Sequence, residues 1–295
     1  MPGTSNRRLL AVLAHPDDES FGPGGTLALY AHQGAQVHLI CATRGEVGAA
    51  PSDNLDGHSS VGDLREAELR CAAVHLGLSG VHFLGYRDSG MQGSPDNQHP
   101  KALARAPLPE VAARITHLVR QFKPQVLITF DPLGGYNHPD HVAVHRATVE
   151  AFHAAGDPNR FPGRLPLYRP QKLYYHTFSR RFLRLAVRLL PILGQDPTQW
   201  GRNGDINLIE IASQDFPIHA RIDFRRVAEA KRLAAACHAS QDGPPTRGFM
   251  GWLFRLTGGR ETFTRAFPPV EGKLRERDLF AGVTADQAIP AEPTS

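Results

Sequence analysis

Residues 9–13, LLAVL, run without a polar interruption through Ala14 into His15, Pro16, Asp17, Asp18 and Glu19. A short continuous apolar run stopped by a proline reads as a strand buried on both faces, the habit of parallel sheets covered by helices. The polar residues that follow then stand at the strand's carboxyl end, where open α/β sheets bind their ligands. Pro16 disfavours the helical region for His15, so the chain leaves the strand extended and turns afterwards. That turn lets the imidazole of His15 and the carboxylate of Asp18, three positions apart, aim at one point while Asp17 stays free. A metal-ligand pair beside a spare carboxylate is the minimum equipment for metal-assisted hydrolysis.

A second stretch answers the first. Residues 125–130, QVLITF, are another buried-strand candidate, and they lead through Asp131, Gly134, Gly135 and Tyr136 to His138, Pro139, Asp140 and His141. A lone HxxH is more often a surface or capping feature. Two His/Asp constellations, each after an apolar strand, point instead to one shared centre. Either His138 or His141 can be the third ligand; His141 can lie in the first turn of the following helix, on a rigid element.

The intervening chain supplies the frame. Strands are expected at 37–42 and 81–84, and helices from about 25 to 32, over 63–76 closed by Gly77, over 109–121, and from the HPDH motif to about 154. Strand and helix alternate four times, which predicts a Rossmann-like α/β fold with a mostly parallel sheet flanked by helices. In the order 3-2-1-4, strands one and four are neighbours where the winding reverses, and the two constellations face each other there. Gly22, Gly24 and Gly25 lack the GxGxxG spacing of a dinucleotide site and are read as allowing close helix packing. Further on, a strand is expected at 172–178, a basic amphipathic helix at 180–190 with its apolar face on the core, a strand at 206–211 and a helix at 224–239. Residues 249–267, with Trp252, Phe254, Phe263 and Phe267, read as irregular, a pocket wall or subunit contact, and 282–295 as a disordered tail.

Composition narrows the class. With 33 basic against 29 acidic residues the net charge is only +4, too mild to argue for nucleic acid. No apolar run reaches the length of a membrane span, and the first residues, MPGTSNRR, lack an apolar signal core. Cys41, Cys71 and Cys237 are sparse, odd in number and without a CxxC, which suggests reduced thiols in a cytoplasm rather than a disulfide framework.

AHPDDE near the start with HPDH in mid-chain resembles the LmbE-like (PIG-L) family of zinc-dependent N-acetylglucosaminide deacetylases. The likeness extends to Thr43-Arg44-Gly45-Glu46, to Tyr86-Arg87-Asp88-Ser89-Gly90-Met91 and to His238-Ala239-Ser240-Gln241. It is nearest the branch acting on mycothiol and bacillithiol intermediates and covers residues 7–242, which would make 1–242 the deacetylase domain and 243–281 an extension packing on it. The resemblance implies one Zn2+ per chain, with Fe2+ as the alternative ion, held by His15, Asp18 and His141. It implies contacts from Glu46 and Arg65 to the sugar, and a hydroxyl from Tyr136 near the reacting carbonyl. The implied partner is a small N-acetylated sugar, with a homo-oligomer left open.

On this reading Asp17 is the general base, and a protonated His138 stabilises the oxyanion and supplies the leaving amine's proton. Asp140 orients His138. Asp88 either accepts from sugar hydroxyls or bonds its own turn. His238 is either a satisfied structural histidine or part of the family's late motif. The reaction releases acetate and a free amine. Competing readings are a thiol-conjugate amidase on the same fold, a non-haem iron oxygenase using two His and a carboxylate, and a non-catalytic sugar-binding protein; a spare base beside the ligands counts against the last.

Overall fold

The computed structural model describes residues 6–48, 55, 57–178, 180–199, 204, 207–241 and 259–284 of the chain. Its strands are β1 (Arg8–Leu13), β2 (Gln36–Thr43), β3 (Gly80–Tyr86), β4 (Val126–Phe130), β5 (Lys172–Thr177), β6 (Ala220–Asp223) and β7 (Arg260–Phe267). The helices are α1 (Asp18–Phe21), α2 (Gly24–His32), α3 (Val61–Leu76), α4 (Leu108–Phe122), the distorted turn α5 (Gly134–Asn137), α6 (Pro139–Ala154), α7 (Arg180–Leu189), α8 (Leu208–Ser213) and α9 (Ala228–Cys237).

The strands form one sheet in the order β3-β2-β1-β4-β5-β7-β6. β1 pairs in parallel with β2 on one side and β4 on the other, with Leu9 opposite both Val37 and Val126. The apolar runs behave as their composition demands: every residue of β4, and all of β1 beyond Arg8, is buried. Leu9, Leu10, Val12, Ile40, Leu127 and Ile128 are fully covered at the centre of the core. Helices lie over both faces because a parallel sheet has no face to leave wet. The first four strands take the order 3-2-1-4, the one in which the two constellations would face each other, so β1 and β4 meet where the winding reverses.

Local signals fix the flanking helices. Ser60 caps α3 by accepting the Asp63 amide, and Gly77 ends it in the left-handed conformation. Gly25 lies against the ring of Phe224, where a Cβ would clash outright. The amides of Gly25 and Thr26 donate to the two oxygens of Glu261, at 2.9 and 2.7 Å. The start of α2, a place where phosphates bind in other α/β proteins, is thus filled by a carboxylate from β7.

Three expectations are corrected. Residues 206–211 were expected as a strand; the described part is helix α8, because the Asn207 side chain accepts the amides of Ile209 and Glu210 and starts a helical turn. Residues 249–267 were expected to be irregular; 249–258 lie outside the described residues, but 260–267 are strand β7, and Phe263 is fully buried in it. That strand runs antiparallel between β5 and β6, so residues 260–267 are part of the sheet. The thiols were expected to be free, yet Cys71 on α3 and Cys237 at the end of α9 form a disulfide, while Cys41 is free and buried. Of the expected tail, 285–295 lie outside the described residues. The basic helix α7 lays Leu183 and Val187 against a small cluster of Leu190, Leu208 and Ile211 that also holds Tyr136. Among the described residues no helix is long and apolar enough to cross a membrane.

Candidate metal centre and catalytic cleft

The end of β1 and the start of α6 bring the two histidine motifs together. Nδ1 of His15 lies 3.2 Å from Nε2 of His141. Asp18 closes the triangle, its Oδ1 3.4 Å from His141 Nε2 and its Oδ2 3.7 Å from His15 Nδ1. Four-coordinate zinc, with ligand bonds near 2.0–2.2 Å, sets neighbouring ligand atoms about 3.3 Å apart. The spacing therefore suits an ion.

The outward-facing nitrogens decide the chemistry of the inner ones. His141 Nδ1 lies 3.0 Å from the Gly134 carbonyl, which can only accept, so this nitrogen carries the proton and Nε2 a lone pair. Nε2 of His15 faces Oδ2 of Asp140 at 3.1 Å and Oδ1 of Asp88 at 3.4 Å, two further acceptors. In the neutral ring Nδ1 is then the lone-pair nitrogen. Two lone pairs and a carboxylate pointed at one another repel unless a cation sits among them. Burial works against a charged His15, but Asp88, Asp140 and Asp18 outweigh it and hold its pKa well above the ordinary value. The cluster demands positive charge, and each imidazole has the outer partner that ligating histidines characteristically have.

The support is built tightly. Gly134 has φ +62°, and a Cβ there would meet Cβ of His141 at 2.6 Å, so only glycine lets the carbonyl reach the ring. The His141 ring lies flat on Phe130, centroids 3.9 Å apart. Asp18 Oδ2 accepts the amides of Ala14 and His15, at 3.2 and 2.8 Å, which folds the segment after β1 back on itself.

Asp17 is not part of the triangle. Its backbone has φ 126°, a region non-glycine residues rarely adopt. Arg65, itself buried, donates from Nη2 to Asp17 Oδ2 at 3.0 Å and to the Pro16 carbonyl at 2.6 Å, and from Nη1 to the Gly45 carbonyl at 2.9 Å. Burial pushes the Asp17 carboxyl up, Arg65 opposes it, and the result is a pKa of about 7. A carboxylate so poised can both take and return a proton near neutral pH.

His138 differs from the sequence expectation. Burial, then the neighbouring His15 and His141, push its pKa down to about 2, so it is neutral rather than protonated. Its Nδ1 accepts the Asp140 amide at 3.2 Å, leaving the ring proton on Nε2. The Asp140 carboxylate does not orient His138; it contacts His15 and accepts from the amide of Ser89 at 2.9 Å and from the Ser89 hydroxyl. A ligand nitrogen of His138 is also close enough to those of His15 and His141 to share an ion with them. Tyr136 sets its ring edge against His141, centroids 5.0 Å apart, and burial keeps its hydroxyl protonated.

The three residues expected to touch sugar separate. Arg65 is buried and committed to Asp17 and the loops. Asp88 is turned inward, to His15 and the amide of Gly90, because the turn after β3 folds over it. Glu46 accepts the Asp88 amide at 3.0 Å and stays partly exposed, its other oxygen 3.9 Å from Arg44. Sequence reasoning passed over Glu19 and Ser89. Glu19 is wholly buried; its Oε2 accepts the Asp17 amide at 3.0 Å and its Oε1 meets Nε2 of His238 at 2.7 Å. The DDE triplet marked the position, but nothing local pointed to a partner 219 residues away.

Comparison with known proteins adds to this geometry. Residues 10–152 match the model of the PIG-L family, described as GlcNAc-PI de-N-acetylase. The chain is 39% identical to 1D-myo-inositol 2-acetamido-2-deoxy-alpha-D-glucopyranoside deacetylase of Geodermatophilus obscurus, over 95% of this chain and 99% of that protein. The same-named protein of Acidothermus cellulolyticus is 37% identical, over 96% and 97%. Among solved structures, the fold is similar to N,N'-diacetylchitobiose deacetylase from Pyrococcus horikoshii, with a TM-score of 0.62 at 20% identity, covering 90% of this chain and 85% of that one.

Proposed function

Because the chain belongs to the PIG-L family and is an amide hydrolase removing the N-acetyl group of an N-acetylglucosamine-containing substrate, we propose that this substrate is an N-acetylglucosaminyl-inositol, as the names of its relatives suggest, and that the ion is zinc. The observation that carries the site assignment is the close approach of two ring nitrogens, His15 Nδ1 and His141 Nε2, closed by Asp18. Two nitrogens and one oxygen with room for a water is the donor set of catalytic zinc sites. Zinc bound there would supply an acidified water and polarise the acetyl carbonyl.

The chain's own groups do the rest. Asp17, held by Arg65 and free of the ligand triangle, takes a proton from the attacking water. As the carbonyl carbon becomes tetrahedral, the Nε2–H of neutral His138 donates to its developing oxyanion, with the Tyr136 hydroxyl as the second donor. Asp17 then returns the proton to the leaving nitrogen as the C–N bond breaks, giving acetate and the free amine. Asp140 and Asp88 hold His15 from behind. Glu46, the one of the three expected sugar contacts that keeps an exposed edge, accepts from a sugar hydroxyl.

Mass spectrometry of the purified protein incubated with N-acetylglucosaminyl-inositol and a panel of other N-acetylglucosaminides tests this. The expected result is a product lighter by one acetyl group, formed fastest from the inositol glycoside. Faster conversion of an unrelated N-acetylglucosaminide would overturn the substrate, and an intact acetyl group throughout would overturn the reaction.

A further inference from the structure

We infer that the buried pair Glu19 and His238 is a positioning device for Asp17, setting the angle from which the base meets its water. Both residues are sealed from solvent, at 0% and 1% exposure. Glu19 uses one oxygen to accept the Asp17 amide and the other to meet His238 Nε2, and the Ser20 hydroxyl donates to that same oxygen. Asp17 sits at φ 126°, a conformation that persists only when its surroundings impose it. The Glu19 hydrogen bond grips the amide of that strained residue. Arg65 grips the same residue from the side chain.

The outer end of the device is anchored as well. His238 follows α9, and the preceding Cys237 is covalently tied to Cys71 on α3. The amide and hydroxyl of Ser240 both donate to Glu68 on α3, at 2.7 Å each. The helix that carries Arg65 therefore fixes the segment carrying His238, and the two grips on Asp17 move as one body. A buried ion pair is seldom the cheapest way to fill space, since well-packed apolar residues of similar volume often stabilise as much or more. What the pair supplies that two leucines could not is a directed acceptor for the Asp17 amide.

The inference rests on Asp17 being the base, and the experiment separates the two. His238→Leu, His238→Gln and Asp17→Asn are made singly, and each His238 variant is combined with Asp17→Asn; kcat, KM, metal content and melting temperature are measured with N-acetylglucosaminyl-inositol. His238→Leu should keep the metal and KM but lose about 10–100-fold in kcat, the order of effect of a small misplacement of a reacting group. His238→Gln, whose amide can still donate to Glu19, should recover most of that loss. In the Asp17→Asn background His238→Leu should cost nothing further, because there is no base left to misplace. A folded, metal-loaded His238→Leu enzyme with unchanged kcat overturns the device, as does equal loss in His238→Gln or full additivity with Asp17→Asn. Should His238→Leu fail to fold, Glu19→Leu, which removes the acceptor for the Asp17 amide, carries the same measurements with the same expected loss in kcat. Wild-type turnover in Asp17→Asn overturns the catalytic reading itself; an inactive Asp17→Asn beside a fully active His238→Leu overturns only the positioning role.

Discussion

The carboxylate of Asp140 meets Nε2 of His15 at 3.1 Å, on the side of the ring away from the nitrogen that faces His141. Asp140 is completely buried and also accepts from Ser89, so it cannot swing away from the ring. It fixes which nitrogen of His15 offers a lone pair. Asp140→Asn should keep the fold and weaken metal binding by about 10–100-fold, the usual cost of removing such an outer partner. Competition with a chromophoric chelator measures this directly, and unchanged affinity would mean that Asp88 alone suffices.

The ligand triangle predicts an asymmetry within HPDH. His15→Ala, Asp18→Ala and His141→Ala should each lose the ion in elemental analysis, while His138→Ala should retain it. His138→Ala should lower kcat and kcat/KM together, as expected for a contact made in the transition state. Since a ligand nitrogen of His138 also lies near those of His15 and His141, loss of metal in His138→Ala with retention in Asp18→Ala would make the site a three-histidine one.

Asp17→Asn preserves volume and the hydrogen bond from Arg65. It should leave metal content intact and reduce kcat by about 10² or more, the usual worth of a general base. Loss of the ion in this variant would exchange the roles of Asp17 and Asp18.

Glu261 gives a prediction in stability rather than rate. Burial alone would raise its pKa, but Lys231 at 2.6 Å and the α2 amides hold it below the ordinary value. A carboxyl depressed in the folded state stabilises the protein above its unfolded pKa, about 4.3, and that contribution disappears as pH falls through the folded value. The gap in urea stability between the native protein and Glu261→Gln should thus be full at pH 7 and narrow steadily below about pH 4. A gap independent of pH would assign the loss to packing.

What could be read from the chain followed from distance along it. His15 with Asp18, and His138 with His141, are three residues apart and follow apolar runs, so strand ends and spacing were enough to bring them together. The parallel sheet followed from alternation, whereas the order of its first four strands entered only as a condition that the structure meets. The protonation of His138 could not be read, because burial beside two other imidazoles decides it. Nor could the partners of Glu19, Asp140 and Cys71, which come from residues far along the chain and are set by how helices settle on the sheet. Helix α8 was misjudged for a local reason: LIEIA looks like a strand until Asn207 is recognised as a cap. Asp88 and Arg65 are of residue types that suit sugars, and only their burial showed them turned inward.

The placement of β7 has a consequence for how the polypeptide is made. The strand emerges from a ribosome about ninety residues after β5, at an elongation rate of roughly 5–20 residues per second. Until then the edge of β5 stays unpaired and β6 has no neighbour on which to form. The amides that open α2 likewise wait for Glu261. A nascent chain released near residue 242 would carry every ligand of the metal centre and still expose an open strand, the kind of edge on which other chains add. Premature termination should therefore yield aggregates rather than a smaller active enzyme.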